Sequence, residues 1–71
     1  MTNKLTPRQT VILYLVSFGW RNKEIAQELH ISTIGVQSHL QNIYARLNAA
    51  NRTDATIKAH KKGYIDLLRY K

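Results

Sequence analysis

The fold of this chain is decided by residues 22–48, which read NKEIAQELHISTIGVQSHLQNIYARLN. Apolar residues recur in this stretch with the period of an α-helix, on either side of the short segment His30-Ile31-Ser32. Histidine tolerates a left-handed backbone better than most residues that carry a side chain, and serine is a favoured helix N-cap. The stretch therefore predicts two helices joined by a tight turn.

The two predicted helices each have one apolar side. The first spans about residues 23–29, with Asn22 or Arg21 at its N-terminal boundary, and its buried side consists of Ile25, Ala26 and Leu29. The second spans about residues 33–48. It carries a single apolar stripe, formed by Val36, Leu40, Ile43 and Leu47. We expect the two apolar sides to share one core.

A further helix is predicted on each side of this pair. Thr6-Pro7-Arg8-Gln9 combines an N-cap, a proline at the first helical position and a capping box, and Gly19 fits the position that ends the helix. The last helix is predicted to start near Thr53 and to end at Lys61-Lys62-Gly63. The sequence thus predicts an all-α, four-helix fold, with a single domain over residues 1–71 and a core over about residues 5–65.

The charge of the chain is strongly positive. Eleven Lys and Arg residues face four acids, which gives a formal net charge of +7, and no acid occurs between Glu28 and Asp54. An excess of this kind favours a polyanionic partner, either nucleic acid or an anionic membrane surface. A membrane surface is the less favoured partner, because the cations do not fall on one amphipathic face.

Several classes of protein are disfavoured by composition. The chain has no cysteine, and His30, His39 and His60 are too widely spaced for a metal cluster. We find no nucleophile with a partnered base, no phosphate-binding glycine loop and no carboxylate pair, so we expect no enzymatic activity and no cofactor. The apolar run 11–18 is too short to cross a bilayer, and a cytoplasmic location is expected.

Two short helices joined by a tight turn are typical of the helix-turn-helix motif. Its second helix enters the major groove of DNA while its first helix crosses the backbone. Ala26 supplies a small residue where the two helices meet. The same pattern is also compatible with an ordinary helical hairpin, so the positive charge is needed to favour double-stranded DNA as the partner.

The chain resembles the LuxR/FixJ-type helix-turn-helix domain over about residues 5–65. The matching residues are Leu5-Thr6-Pro7-Arg8, Ile12-Leu13, Gly19, Asn22-Lys23-Glu24-Ile25-Ala26, Leu29, Ile31-Ser32, Val36, His39, Ile43, Leu47, Asn51-Arg52-Thr53, Ala55, Ala59 and Gly63. The resemblance implies a bacterial transcription regulator, either a response-regulator output domain or a short stand-alone regulator. It implies that the third helix binds the major groove and that the fourth pairs two copies on DNA.

Three side chains are expected to contact bases. By resemblance the base-reading positions fall on Gln37, Ser38 and Gln41. The chemistry of these residues agrees independently, because glutamine pairs bidentately with adenine and serine bonds several base edges. The family usually has a basic residue at Gln37 and a threonine at Gly35, so target preference is expected to differ from that of other members. An ordinary solvated helix face is the alternative.

Contacts to DNA phosphates are expected around the start of the second helix and near the ends of the third. The candidates are Arg21, Asn22, Lys23, Tyr44, Arg46 and Arg52. A helix N-terminus also attracts phosphate through its N–H groups and dipole. Solvated charge is the alternative for each cation, packing is the alternative for Tyr44, and a structural link to the first helix near Gln9 is the alternative for Arg52.

Two surfaces are candidates for contact with protein. The fourth helix is expected to form the homodimer, because small residues permit close approach; its candidates are Ala55, Thr56, Lys58 and Ala59. A second apolar surface, Val11, Tyr14, Phe18 and Trp20, could instead bind a regulatory domain or a partner protein. This surface supports the alternative function of a protein-interaction module, unless the tail at residues 66–71 covers it.

Overall fold

The computed structural model describes residues 5–61, which form four helices. They are α1 (Pro7–Ser17), α2 (Asn22–Leu29), α3 (Thr33–Leu47) and α4 (Arg52–Lys61). The predicted all-α, four-helix fold is confirmed, and α3 matches the helix predicted at about 33–48 because Asn48 is its C-cap. None of the helices in this part of the chain is long and apolar enough to cross a membrane.

Helix α1 begins and ends where its sequence predicts. The backbone N–H of Gln9 donates to Thr6 Oγ1 at 3.1 Å, and the backbone N–H of Thr6 donates to Gln9 Oε1 at 3.0 Å. This reciprocal pair satisfies two N–H groups that a helix start leaves without partners. The helix ends at Phe18, and Gly19 follows with φ of 88°, a conformation that favours glycine.

Helix α2 begins one residue earlier than expected, and its N-cap is Arg21 rather than Asn22. The backbone N–H of Arg21 donates to the Glu24 side chain at 2.8 Å, which is the backbone half of a capping box. The Asn22 side chain is not available for capping because it bonds Arg52. The helix ends at His30 in the left-handed conformation (φ 59°, ψ 42°), as predicted.

The remaining helix ends also have local causes. Ser32 Oγ accepts a bond from the Gly35 N–H at 2.9 Å, which starts α3 at the predicted position. The left-handed Asn48 ends it. Asn51 Oδ1 accepts from the Asp54 N–H at 2.8 Å and starts α4 at Arg52. Lys62 and Gly63, which were predicted to end the last helix, lie outside the described residues. So does the tail at residues 66–71, which was considered as a cover for the second apolar surface.

A single buried cluster joins the four helices. Its members are Ile12, Leu13, Val16, Ile25, Ala26, Val36, Leu40, Ile43, Leu47, Ala55 and Ala59. The predicted apolar stripe of α3 is buried along its whole length. Leu29, which was expected to be buried, is only partly buried and packs against the edge of the core, as do Leu15 and Ile31. This core fixes which face of α3 points outward.

Candidate nucleic-acid interface

The outward face of α3 carries the three residues expected to contact bases. Gln37, Ser38 and Gln41 are all exposed, while Val36 and Leu40 beside them are buried. Residues three and four positions apart lie on the same face of a helix, so the three polar side chains form one patch. The arrangement presents amide and hydroxyl groups together on a helix that the core holds firmly.

A concavity lies beside this patch and brings together residues that are distant in the sequence. Its lining consists of Asn22, Gln37, Leu40, Gln41, Tyr44 and Arg52. A second concavity is lined by Gly19, Trp20, Arg21, Asn22 and Arg52. Because Asn22 and Arg52 line both, the two depressions adjoin. The two glutamines thus lie close to the start of α2, where phosphate contacts were expected.

Arg52 links the start of α4 to the turn between α1 and α2. Its Nη1 donates to Asn22 Oδ1 at 2.8 Å, and its Nη2 donates to the carbonyl oxygen of Trp20 at 2.6 Å. Arg52 thus forms a structural link, the alternative to a phosphate contact, but to Trp20 and Asn22 and not near Gln9, whose buried side chain bonds Thr6. The guanidinium bonds two separate acceptors, so it positions the start of α2.

The other expected phosphate contacts differ in exposure. Arg21 and Lys23 are exposed at the start of α2, and Arg46 is exposed in the last turn of α3. Tyr44, for which packing was the alternative to a phosphate contact, is half-buried and packs against the core. The structure brings Tyr44, Asn22 and Arg52 together around the concavity, whereas Lys23, Arg46 and Ser38 lie outside its lining.

A carboxylate and a lysine tie α4 to the preceding turn. Asp54 Oδ2 accepts a bond from the Ala50 N–H at 2.8 Å and lies 3.1 Å from Lys58 Nζ. Lys58 Nζ also donates to the carbonyl oxygen of Asn48 at 2.6 Å. The Ala50 N–H, and after it Lys58, lower the pKa of Asp54 below its usual value. These contacts hold the α3–α4 turn in place.

The expected dimer surface on α4 needs correction. Ala55 and Ala59 have no exposed area, because α4 packs this side against α1 and α3 of its own chain. Thr56 Oγ1 donates to the carbonyl oxygen of Arg52, and Lys58 is occupied by the bonds to Asp54 and Asn48. The exposed face of α4 consists instead of Thr53, Ile57, His60 and Lys61.

The expected partner surface is largely covered by the chain itself. Val11 is 45% exposed, but Tyr14, Phe18 and Trp20 are half-buried. The rings of Tyr14 and Phe18 meet edge to face with centroids 5.2 Å apart, and Tyr14 and Trp20 pack against the core. Phe18 and Trp20 also border an open concavity with Glu24, Gln27 and Glu28.

Two exposed apolar side chains were not predicted from the sequence. Ile34, the second residue of α3, is 72% exposed, and Ile57 on α4 is 52% exposed. Helical register was the signal that would have found both: Ile34 precedes Gln37 and Ser38 by three and four positions, and Ile57 lies opposite the buried side of α4.

Comparison with known proteins gives the family. The profile described as bacterial regulatory proteins, luxR family, matches residues 3–62. The chain belongs to this family. The resemblance to LuxR/FixJ-type domains is thereby confirmed, and α2, the left-handed His30 and α3 are its helix-turn-helix.

Three relatives of this luxR-family chain are named as regulators. The HTH-type transcriptional regulator AlkS of Ectopseudomonas oleovorans is 43% identical over 61 residues, which are 86% of this chain and 7% of AlkS. The transcriptional regulatory proteins LiaR and ComA of Bacillus subtilis are each 39% identical, over 87% and 86% of this chain. The chain spans 29% of LiaR and 28% of ComA. The relatives are therefore much longer proteins.

The family description is that of regulatory proteins and not of enzymes. Within residues 5–61 the structure has no group of three or more His, Cys, Asp or Glu side chains that could hold a metal ion. The polar face of α3 and its surroundings form the candidate functional surface.

Proposed function

We propose that this luxR-family domain binds double-stranded DNA sequence-specifically, with α3 in the major groove, as the DNA-binding part of a bacterial transcription regulator. One observation carries the proposal: an exposed amide pair, Gln37 and Gln41, lies on the outward face of a helix whose other face is buried. The absence of acids between Glu28 and Asp54 allows this helix to approach phosphates without repulsion.

The roles of the polar residues follow from their chemistry. Each glutamine amide can donate one N–H to adenine N7 while its carbonyl oxygen accepts from adenine N6, and Ser38 bonds whichever base edge lies nearest. Arg21, Lys23 and Arg46 are exposed cations that neutralise phosphates. Arg52 and Asn22 act differently, because their mutual bond fixes the start of α2 relative to α3.

Two copies of the domain pair on DNA in this proposal, and α4 carries the pairing surface. A single recognition helix reads a short half-site, so two-fold pairing doubles the sequence that is read. The contact between the two copies is made by the exposed face of α4, with Ile57 at its centre. Ala55 and Ala59 cannot make it because they are buried. We propose that the domain acts in the cytoplasm, since that is where the bacterial chromosome lies.

Selection of binding sites from random duplexes tests the proposal. The purified chain is expected to enrich a motif that contains adenine. Gln37→Ala and Gln41→Ala are each expected to weaken binding to the enriched duplex by about 1–3 kcal/mol, with a much smaller effect on random DNA. Gln27→Ala is the matched control, because Gln27 is an exposed glutamine on α2 rather than on α3.

Two results would contradict this function. Failure to enrich any duplex would remove sequence-specific binding. Equal losses for the α3 variants on enriched and on random duplexes would show that the glutamines do not read bases, even if the domain binds DNA.

A second candidate function is contact with a partner protein or a regulatory domain. A concavity lined by Phe18, Trp20, Glu24 and Glu28 favours this function. Two of the four acids of the chain lie there beside two aromatic rings. This concavity is formed by the α1–α2 turn and α2, and it contains none of the α3 residues assigned to DNA. Both functions therefore fit on one domain.

A further inference from the structure

Ile34 is an apolar side chain in an unexpected place. It is 72% exposed, more than Ile57 at 52% and Val11 at 45%. Isoleucine is a poorer helix former than alanine or the long unbranched residues, so helix stability does not account for its presence at the start of α3. Packing does not account for it either, because Ile34 is not part of the buried cluster, as Val36 is, and does not pack against its edge, as Ile31 does.

The position of Ile34 on α3 relates it to the base-reading residues. Gln37, Ser38 and Gln41 follow it by three, four and seven positions, so all four side chains share one face of the helix. The bond from the Gly35 N–H to Ser32 Oγ fixes the first turn, to which Ile34 belongs. The polar patch thus has an apolar side chain at its N-terminal end.

We propose that Ile34 contacts the 5-methyl group of a thymine and so determines part of the sequence preference. This inference rests on the proposed function. In helix-turn-helix proteins the N-terminal residues of the recognition helix contact base edges, and Ile34 is the second residue of α3. In the major groove thymine alone presents a methyl group, and an aliphatic side chain recognises it by apolar contact.

The assignment agrees with the role of the neighbouring amides. The thymine paired with an adenine that a glutamine binds belongs to the same base pair and presents its methyl group in the same major groove. Ile34 has no donor or acceptor in its side chain, so its discrimination depends on the methyl group alone. Replacement of thymine by deoxyuridine removes this methyl group and leaves base pairing intact.

The test combines thymine-to-deoxyuridine replacement with Ile34→Ala, on the duplex that the unmodified chain enriches from a random pool. Each thymine is replaced singly, and dissociation constants are measured for both proteins. At one thymine of each half-site the loss of the methyl group is expected to weaken the unmodified protein about fourfold, the value for one buried methyl group. Ile34→Ala is expected to bind the thymine duplex more weakly and to be insensitive to that replacement.

Val11→Ala is the matched control, because it trims an exposed aliphatic side chain on α1 and should keep the full sensitivity to deoxyuridine. The proposal is overturned if no thymine replacement affects the unmodified protein, or if Ile34→Ala responds to deoxyuridine as strongly as the unmodified protein does. In both cases the enriched motif and the losses in Gln37→Ala and Gln41→Ala would leave the proposed function standing. Failure to enrich any duplex would remove both.

Discussion

At the scale of single residues, two glycines differ in why a side chain would be unfavourable. Gly19 has φ of 88°, with no atom within 4 Å of the position that a Cβ would take, so its requirement is conformational. Gly35 is helical, and a Cβ there would lie 3.3 Å from Ser32 Oγ. Substitution at Gly19 therefore meets backbone strain, whereas substitution at Gly35 meets only one close side-chain contact.

We expect Gly19→Ala to lower the free energy of unfolding by about 1–2 kcal/mol, the cost of a left-handed backbone for a residue with a Cβ. Gly35→Ala is expected to change it by less than about 0.5 kcal/mol, because better helix propensity offsets the crowding of Ser32. Urea denaturation of the two variants measures both values. Equal losses at the two positions would contradict the assignment of strain to Gly19.

The carboxylate of Asp54 gives a prediction about pH. Its pKa is held below the usual 3.8 first by the Ala50 N–H and then by Lys58. A lowered pKa in the folded state means that the ionised group stabilises the fold above pH 3.8, and that this contribution is lost as the pH falls through the folded-state pKa. The difference in stability between the unmodified chain and Asp54→Asn should therefore shrink on acidification.

An NMR titration of the Asp54 carboxyl measures this pKa directly. In Lys58→Met the pKa should rise but stay below its usual value, because the Ala50 N–H remains in place. A pKa at or above 3.8 in the unmodified chain would show that the bond to Ala50 does not persist in solution.

At the scale of elements, Arg52 decides how α4 and the α1–α2 turn are held together. Its two bonds reach residues 30 and 32 positions away in the sequence. Arg52→Lys keeps the charge but loses the planar fork that serves two acceptors. We expect it to lower the free energy of unfolding by about 1–3 kcal/mol, because hydrogen bonds to a partly buried charged group are lost.

Stability of the free domain separates this role from a contact with DNA. A residue that binds only phosphate would leave unfolding in the absence of DNA unchanged, so an unaltered urea midpoint for Arg52→Lys would contradict the positioning role. Arg8→Lys is the comparison, since Arg8 is an exposed arginine near the start of α1.

At the scale of the whole molecule, the exposed face of α4 predicts how two copies meet. Ile57→Glu is expected to abolish cooperative binding to a duplex with two half-sites, because it places charge at the centre of the proposed contact. Binding to a single half-site should remain. Gel-shift titrations on both duplexes measure the two effects. Ala59→Glu is unsuitable as a test, since Ala59 is buried and the variant would lose its fold.

Val11→Glu serves as the control for the dimer, because Val11 is an exposed aliphatic residue on α1. We expect it to leave cooperativity unchanged. If Val11→Glu removed cooperative binding while Ile57→Glu did not, the pairing surface would lie on α1 instead of α4.

The sequence by itself determined the features that depend on neighbours along the chain. The capping pair of Thr6 and Gln9, the left-handed His30 and the Ser32 cap involve residues at most three positions apart. The apolar stripe of α3 follows from helical period alone, and so does the outward placement of Gln37, Ser38 and Gln41. These features could be predicted because local hydrogen bonds and periodicity require no knowledge of how the helices cross.

Tertiary structure decided whatever depends on how the helices cross. Small residues such as Ala55 and Ala59 permit close approach either within a chain or between chains, and the packing of α4 against α1 and α3 resolved this in favour of the core. The partners of Arg52 were likewise set by the approach of the α1–α2 turn to α4.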